Sequence, residues 1–274
     1  MLAADIESLY KNHPLRKATI LERVRRMRDS LDAISELDLA FDPAAATTDQ
    51  NHVGGIDFTV ALAQAVALSP SKHVLDLGCG LGGSIRCLAY LYGCKGTGYD
   101  VSADRIAEAD ELTRLVHLEN LVDFKHVDLV DRDAPARTFD VIWGQSSWTH
   151  IENKEPFMKK WSASLDRRGT IAFEDVYLRR NTEGSAERSA LEQFESDSLS
   201  KVIGLKEWKR ILSACSFAPT LEQDVSEQMI DEERRLIQKS QTGKDANENE
   251  KANLLLNLAE KGILGYIRVV ARRD

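Results

Sequence analysis

The feature that most constrains this chain is the run HVLDLGCGLGGSIRCLA, from His73 to Ala89. An apolar segment suited to a buried strand leads into glycines at 78, 80, 82 and 83, and a helix-like apolar segment follows. Glycine permits a tight turn there and lets a ligand approach the backbone closely. A strand, a glycine turn and a helix in that order is the context such a pattern needs to mean anything. The alternation then continues. CKGTGYDV reads as a second strand, SADRIAEADELTRLVH as a helix, VDFKHVDL and FDVIWGQ as strands. EPFMKKWSASL is a helix, GTIAFEDVYL a fifth strand, LKEWKRILSAC a helix, and APTLEQDV and GYIRVVAR the last strands. Apolar strands alternating with helices predict an α/β fold: a Rossmann-like, seven-stranded, mostly parallel sheet with helices on both faces.

Three segments fall outside that repeat. Residues 16–38 read as a helix, because Leu21, Val24, Met27, Leu31 and Ile34 form an apolar stripe. Its many basic residues are a solvated face or dock on an acidic surface of the same chain or of a partner. A loop over 41–55 follows, then a helix over about 56–68. The chain thus divides into an N-terminal helical segment, 1–55, and a sheet domain, 56–274. Insertions at 179–203 and 225–260 are expected to join the N-terminal helices in a cap that shapes a pocket or a homodimer contact. Within the second, TGKDANENEKAN reads as a polar turn.

Bulk properties exclude some roles. The 274 residues are 43% hydrophobic, enough for a real core, and the net charge of −8 offers nucleic acid no global positive field. No run of 18 apolar residues predicts a membrane span, and the start lacks a secretory signal pattern. Cys79, Cys87, Cys94 and Cys215 form no C-x-x-C pair, which argues against zinc and for reduced thiols in a cytoplasmic protein. No metal site is expected.

The glycines fit two templates. Gly78, Gly80 and Gly82 read as G-x-G-x-G, and Gly78, Gly80 and Gly83 as the G-x-x-spaced dinucleotide pattern. Asp76 separates them. Two residues before Gly78 on a strand, it shares that residue's face beside the turn. At an effective dielectric of about 20, unit charges about 4 Å apart interact by roughly 4 kcal/mol. That term opposes a pyrophosphate and favours S-adenosylmethionine, which carries an ammonium and a sulfonium. The competing role for Asp76 is tying down local backbone N–H groups. Asp100, ending the second strand, can accept from both ribose hydroxyls of either cofactor, or cap the following helix. Asp128 ends the third strand, where it can accept from an adenine amino group while Leu129 packs on the ring.

Together VLDLGCGLGG, GYDVS, HVDL, FDVIWGQSSWTHI and RRGTIAFEDVY resemble the class I S-adenosylmethionine-dependent methyltransferases over about residues 50–220. DQNHVGG and GQSSWTHI are similar to the small-molecule branch, which includes glycine, sarcosine and dimethylglycine N-methyltransferases and quinone C-methyltransferases. DRRGT stands where relatives carry a KPGG-like turn. The resemblance implies that Asp76, Gly78, Gly80 and Gly82 border the methionine part of the cofactor. It places Asp100 on the ribose, Asp128 and Leu129 on adenine, Gln145 near the sulfonium, and 50–55 over the cofactor.

Methyl transfer is an in-line displacement, so orientation can supply about 7–11 kcal/mol without metal or covalent intermediate. A base is needed only when the nucleophile starts protonated. His150, just past the fourth strand, can fill that role or be a structural loop histidine. Glu174 is the second catalytic candidate, at the end of the fifth strand with Asp175; strand neighbours point opposite ways, so one of the two faces the pocket. His52 and Trp148 are the substrate-binding candidates, with plain packing roles as the alternatives. The acceptor is a small molecule with an N, C or O nucleophile. A nicotinamide oxidoreductase and a silent cofactor-binding protein remain the other readings.

Overall fold

Seven strands form one sheet in the computed structural model, ordered β3-β2-β1-β4-β5-β7-β6. The structure describes residues 3–11, 13–28, 30–42, 48–136, 138–240 and 246–273. Residues 43–47 of the expected loop and 242–245 of the expected polar turn lie outside them; the rest of that expected turn, 246–253, is helical. The strands are β1 (His73–Leu77), β2 (Lys95–Asp100), β3 (Val122–His126), β4 (Phe139–Gln145), β5 (Leu165–Leu178), β6 (Phe217–Asp224) and β7 (Leu264–Arg273). β1 to β5 pair in parallel, and β7 runs antiparallel between β5 and β6. The expected α/β sheet is the one observed.

β1 carries apolar Val74, Leu75 and Leu77 toward both faces because both faces of the sheet are covered. Val74 packs with α4 (Gly55–Gln64), α5 (Gly83–Tyr92) and α6 (Ala103–Leu115). Leu75 and Leu77 pack on the other face with α7 (Lys154–Ser162) and α9 (Leu205–Ala214). The first insertion forms α8 (Gly184–Asp197), and the second forms α10 (Ser226–Ser240) and α11 (Ala246–Glu260). Phe194, Met229 and Leu258 of these helices close a separate apolar cluster with Phe58 and Tyr266.

The N-terminal segment is broken where one helix was expected. It comprises α1 (Ala3–Lys11), α2 (Lys17–Met27) and α3 (Glu36–Ala40). Local polar bonds interrupt it: Asp32 N–H donates to Ser30 Oγ, and Ser35 starts α3 with a capping box to Asp38. Ile20 and Val24 are buried against Leu112 and Val116, while Met27 stays exposed. The basic face docks on the same chain. Arg16 Nε donates to Glu108 Oε1 of α6 at 2.9 Å, and Lys17 N–H donates to the other oxygen.

Arg86 of α5 ties these layers together, fully buried with Glu36 and Asp49. Its Nε donates to Glu36 at 2.9 Å and its Nη2 to Asp49 at 2.6 Å. Nη1 donates to the Leu81 carbonyl of the glycine turn at 2.7 Å and reaches Thr113 of α6. Replacing Arg86 by Met leaves buried carboxylates without their counter-charge. The expected loss is about 3–5 kcal/mol of unfolding free energy. Urea denaturation of Arg86→Met checks it, and a loss below about 1 kcal/mol would show that the hub is not structural.

Candidate active site

The carboxyl ends of β1, β2 and β4 open into one cleft, the side where ligands bind in open α/β sheets. The glycine turn forms its floor. Gly78 has φ +88°, and a Cβ there would lie 2.5 Å from the Ser147 Cβ, so this position requires glycine. The Gly78 and Cys79 N–H groups donate to the Tyr99 carbonyl, and Gly80 N–H donates to Asp100 Oδ2 at 2.8 Å. Gly83 also lines the cleft; a Cβ on it would meet the Asp49 carbonyl at 2.3 Å. Gly82 does not line it. Gly82 turns into the helix with φ +77° and packs against Phe124, which corrects its expected place at the cofactor.

Three acids stand along this edge. Asp76 is buried in the cleft wall and has no hydrogen-bond partner among the described residues. Burial, aided by the Asp100 charge, pushes its carboxyl up to about 8. Asp100 is shared between the loop and the cleft, since its Oδ1 accepts from Ser102 N–H at 2.9 Å. Asp128 lines the far end, with Oδ1 turned to the Val130 N–H at 2.8 Å. Leu129 lies beside it, its carbonyl held by the Trp161 indole N–H.

At the other end Gln145 lines the cleft within a buried polar chain. Its Oε1 accepts from Trp143 Nε1 at 3.0 Å, and its Nε2 donates to Glu174 Oε2 at 2.7 Å. Thr59 Oγ1 lies 3.1 Å from Gln145 Oε1, 3.0 Å from Gln50 Oε1 and 3.1 Å from His52 Nε2. His52 is on the cleft wall. Its Nδ1 faces the Val53 carbonyl at 3.0 Å, and its Nε2 faces Gln50 Oε1 at 3.3 Å and the Thr59 hydroxyl at 3.1 Å. Burial lowers His52 to about 4, so it is neutral.

Two expected site residues stand elsewhere. Glu174 is completely buried behind Gln145, paired with Arg268 Nε at 2.5 Å, and does not line the cleft. β5 runs on past it to Leu178 beside β7, so Glu174 is mid-strand, in register with Gln145. Asp175 likewise turns inward and accepts from the Thr149 N–H at 2.7 Å. Trp148 is a core tryptophan. Its indole donates to the Leu77 carbonyl at 3.1 Å and its ring packs with Phe157, Phe173 and Trp208. Gly144 makes the room, since a Cβ there would meet the Trp148 ring at 2.3 Å.

His150 does face the cleft, on a 3-10 turn at Trp148–His150. Its Nδ1–H donates to the Leu199 carbonyl at 2.8 Å, which fixes the tautomer. Nε2 therefore accepts from the Tyr10 hydroxyl at 3.0 Å. Burial lowers His150 and raises Tyr10 to about 12, so both are neutral. Tyr10 and Ile6 come from α1, which covers the cleft. Sequence reading did not single out Tyr10; its only signal is the four-residue spacing from Ile6. Arg105 was also missed: it lines the cleft 4.5 Å from the Tyr10 ring centre.

A family model described as a methyltransferase domain matches residues 74–169. The glycine/sarcosine/dimethylglycine N-methyltransferase of Actinopolyspora halophila is 30% identical over 138 residues, 50% of this chain and 24% of that protein. The 2-methyl-6-phytyl-1,4-hydroquinone methyltransferase of Synechocystis sp. is 37% identical over 108 residues, 38% of this chain and 33% of that protein. The chain spans about a quarter to two fifths of the length of the curated relatives it matches. Geranyl diphosphate C-methyltransferase of Streptomyces coelicolor A3(2) superposes with a TM-score of 0.77 at 14% identity, over 99% of this chain and 98% of that one, which shows the shared fold. The methyltransferase resemblance and the Rossmann-like fold read from the sequence are borne out.

Replacing Tyr10 by Phe removes a donor that stabilises neutral His150, so the His150 pKa is expected to rise toward its ordinary range. NMR titration of the His150 ring measures it; an unchanged or lower pKa would show that the phenol does not bond Nε2.

Proposed function

We propose, from the methyltransferase-domain match and the cleft geometry, that this protein transfers the methyl group of S-adenosylmethionine to a small-molecule acceptor. Asp76 is the observation that carries the reading. A buried carboxyl with no hydrogen-bond partner among the described residues, beside a glycine cradle, suits the ammonium of a methionyl group, which favours its ionised form, whereas a pyrophosphate would disfavour that form. Asp100 would hold the ribose hydroxyls, Asp128 the adenine amino group, and Leu129 would pack on the ring. Gln145 would lie toward the sulfonium, and His52 beside cofactor or acceptor. The bound cofactor supplies an activated methyl on a good leaving group.

The chain's own task is to orient the acceptor, exclude water and take a proton. Neutral His150 has its Nε2 lone pair on the Tyr10 hydroxyl. An acceptor proton can pass to the phenol oxygen as the phenol proton passes to Nε2, so Tyr10 and His150 replace the expected pair of His150 and Glu174. Glu174 instead anchors Gln145. Relatives named for amino acids and for a hydroquinone support a small-molecule acceptor with an N, C or O nucleophile. Among the described residues no helix is long and apolar enough to cross a membrane. The free thiols support the cytoplasm as the compartment.

The test is calorimetry with S-adenosylhomocysteine, followed by counting labelled methyl transferred to a panel of amines, hydroquinones and carbon acids. Binding and transfer to at least one acceptor are expected; a folded protein that does not bind S-adenosylhomocysteine contradicts the reading. The pH dependence is signed. With Asp76 raised to about 8, its unliganded carboxyl holds a proton at neutral pH, whereas pairing with the ammonium needs the carboxylate. Binding should therefore release a proton, and affinity should climb as pH rises toward that value. Calorimetry in buffers of different ionisation enthalpy reads the proton, and a buffer-independent heat would count against Asp76.

A further inference from the structure

Arg105 makes no hydrogen bond or ion pair among the described residues, and only the charges of Asp100 and Glu108, each bonded elsewhere, attract it. It is 1% exposed, and Nε, Nη1 and Nη2 all lack a hydrogen-bond partner there. A buried guanidinium is costly unless paired and hydrogen-bonded. It also sits at the third position of α6, the end of the helix where the dipole disfavours a cation. The acids nearby are already taken. Asp100 accepts from the N–H groups of Gly80 and Ser102, and Glu108 from Arg16 and the Lys17 N–H. The Tyr10 ring is stacked 4.5 Å from the guanidinium and Nη1 lies 3.5 Å from where a Cβ on Gly80 would be, contacts that leave the edge donors unused. The side chain lines the same cleft as His150, with the Tyr10 phenol reaching from one to the other.

We propose that Arg105 is the oxyanion-binding residue of the acceptor site, so that the methyl acceptor is a small molecule carrying a carboxylate or phosphate group. This rests on the methyltransferase reading and deepens it. The planar guanidinium fork matches the paired oxygens of either group. An anion seated there supplies the missing counter-charge and fixes the acceptor relative to Tyr10 and His150. The cofactor has a carboxylate of its own, and the experiment separates the two sources.

The protein is saturated with S-adenosylhomocysteine and titrated calorimetrically with inorganic phosphate and with acetate. One or both are expected to bind, and Arg105→Met is expected to lose that binding at least tenfold while Arg105→Lys keeps part of it. Arg105→Met should bind S-adenosylhomocysteine and 5′-deoxy-5′-methylthioadenosine, which lacks the carboxylate, as the parent does. Unliganded Arg105→Met should melt no lower than the parent, because it deletes an unpaired buried charge. If S-adenosylhomocysteine binds but neither anion does, this assignment falls while the methyltransferase reading stands. If Arg105→Met weakens S-adenosylhomocysteine tenfold but spares the methylthio compound, the guanidinium serves the cofactor's carboxylate and the assignment is wrong. If S-adenosylhomocysteine itself does not bind, both fall together.

Discussion

The geometry of the cleft depends on one buried cation, Arg86. It ties the N-terminal segment, through Glu36 and Asp49, to the back of the glycine turn and to α6. From Asp49 the polar chain continues through Gln50 and Thr59 to Gln145, then to Glu174 and Arg268. Two buried arginines thus anchor the ends of a line of close polar contacts beneath the site, in which the single Thr59 proton serves either Gln50 or Gln145. Low local dielectric strengthens each hydrogen bond the line makes and makes each one lost costly. The glycine turn is consequently held from behind by Arg86 and from in front by Asp100 before any ligand arrives. Ordering paid in folding need not be met again on binding.

Above that floor the charges are less settled. Among the described residues Asp76 faces the cleft without a hydrogen-bond partner, and Arg105 faces it from the helix side without one. A cleft that buries a carboxyl able to ionise beside a cation and a guanidinium without a hydrogen bond suits ligands that carry both signs. The neutral pair Tyr10–His150 lines the same cleft, and a proton it took up would rest on His150 as an imidazolium. α1 brings Tyr10 there, so the proposed proton path draws on the N-terminal helices as well as on the sheet.

Much of this was legible in the sequence because local pattern and tertiary role coincide. The apolar strands, the glycine turn and the acids ending β1 and β2 sit where a parallel sheet must place them. Legibility failed where long-range pairing decides. Glu174 reads as a strand end until β7 is seen to extend β5 past it. Trp148 reads as a pocket wall until Gly144 opens a core slot for its ring. Tyr10 and Arg105 lie 95 residues apart, and no local period links them. Arg86 looked like any helix arginine, because its partners Glu36 and Asp49 come from a segment whose docking the sequence does not announce.

The central claim is that Asp76 holds the ammonium of a methyl-donor cofactor. The most direct measurement is the affinity of Asp76→Asn for S-adenosylhomocysteine beside its unliganded melting temperature. Loss of a charged hydrogen bond is worth about 1.5–3 kcal/mol, so a weakening of about tenfold to more than hundredfold is expected. The unliganded variant should melt at or above the parent, since a buried carboxyl without a partner is removed. Unchanged affinity, or a fall in melting temperature that accompanies the loss, would contradict the account.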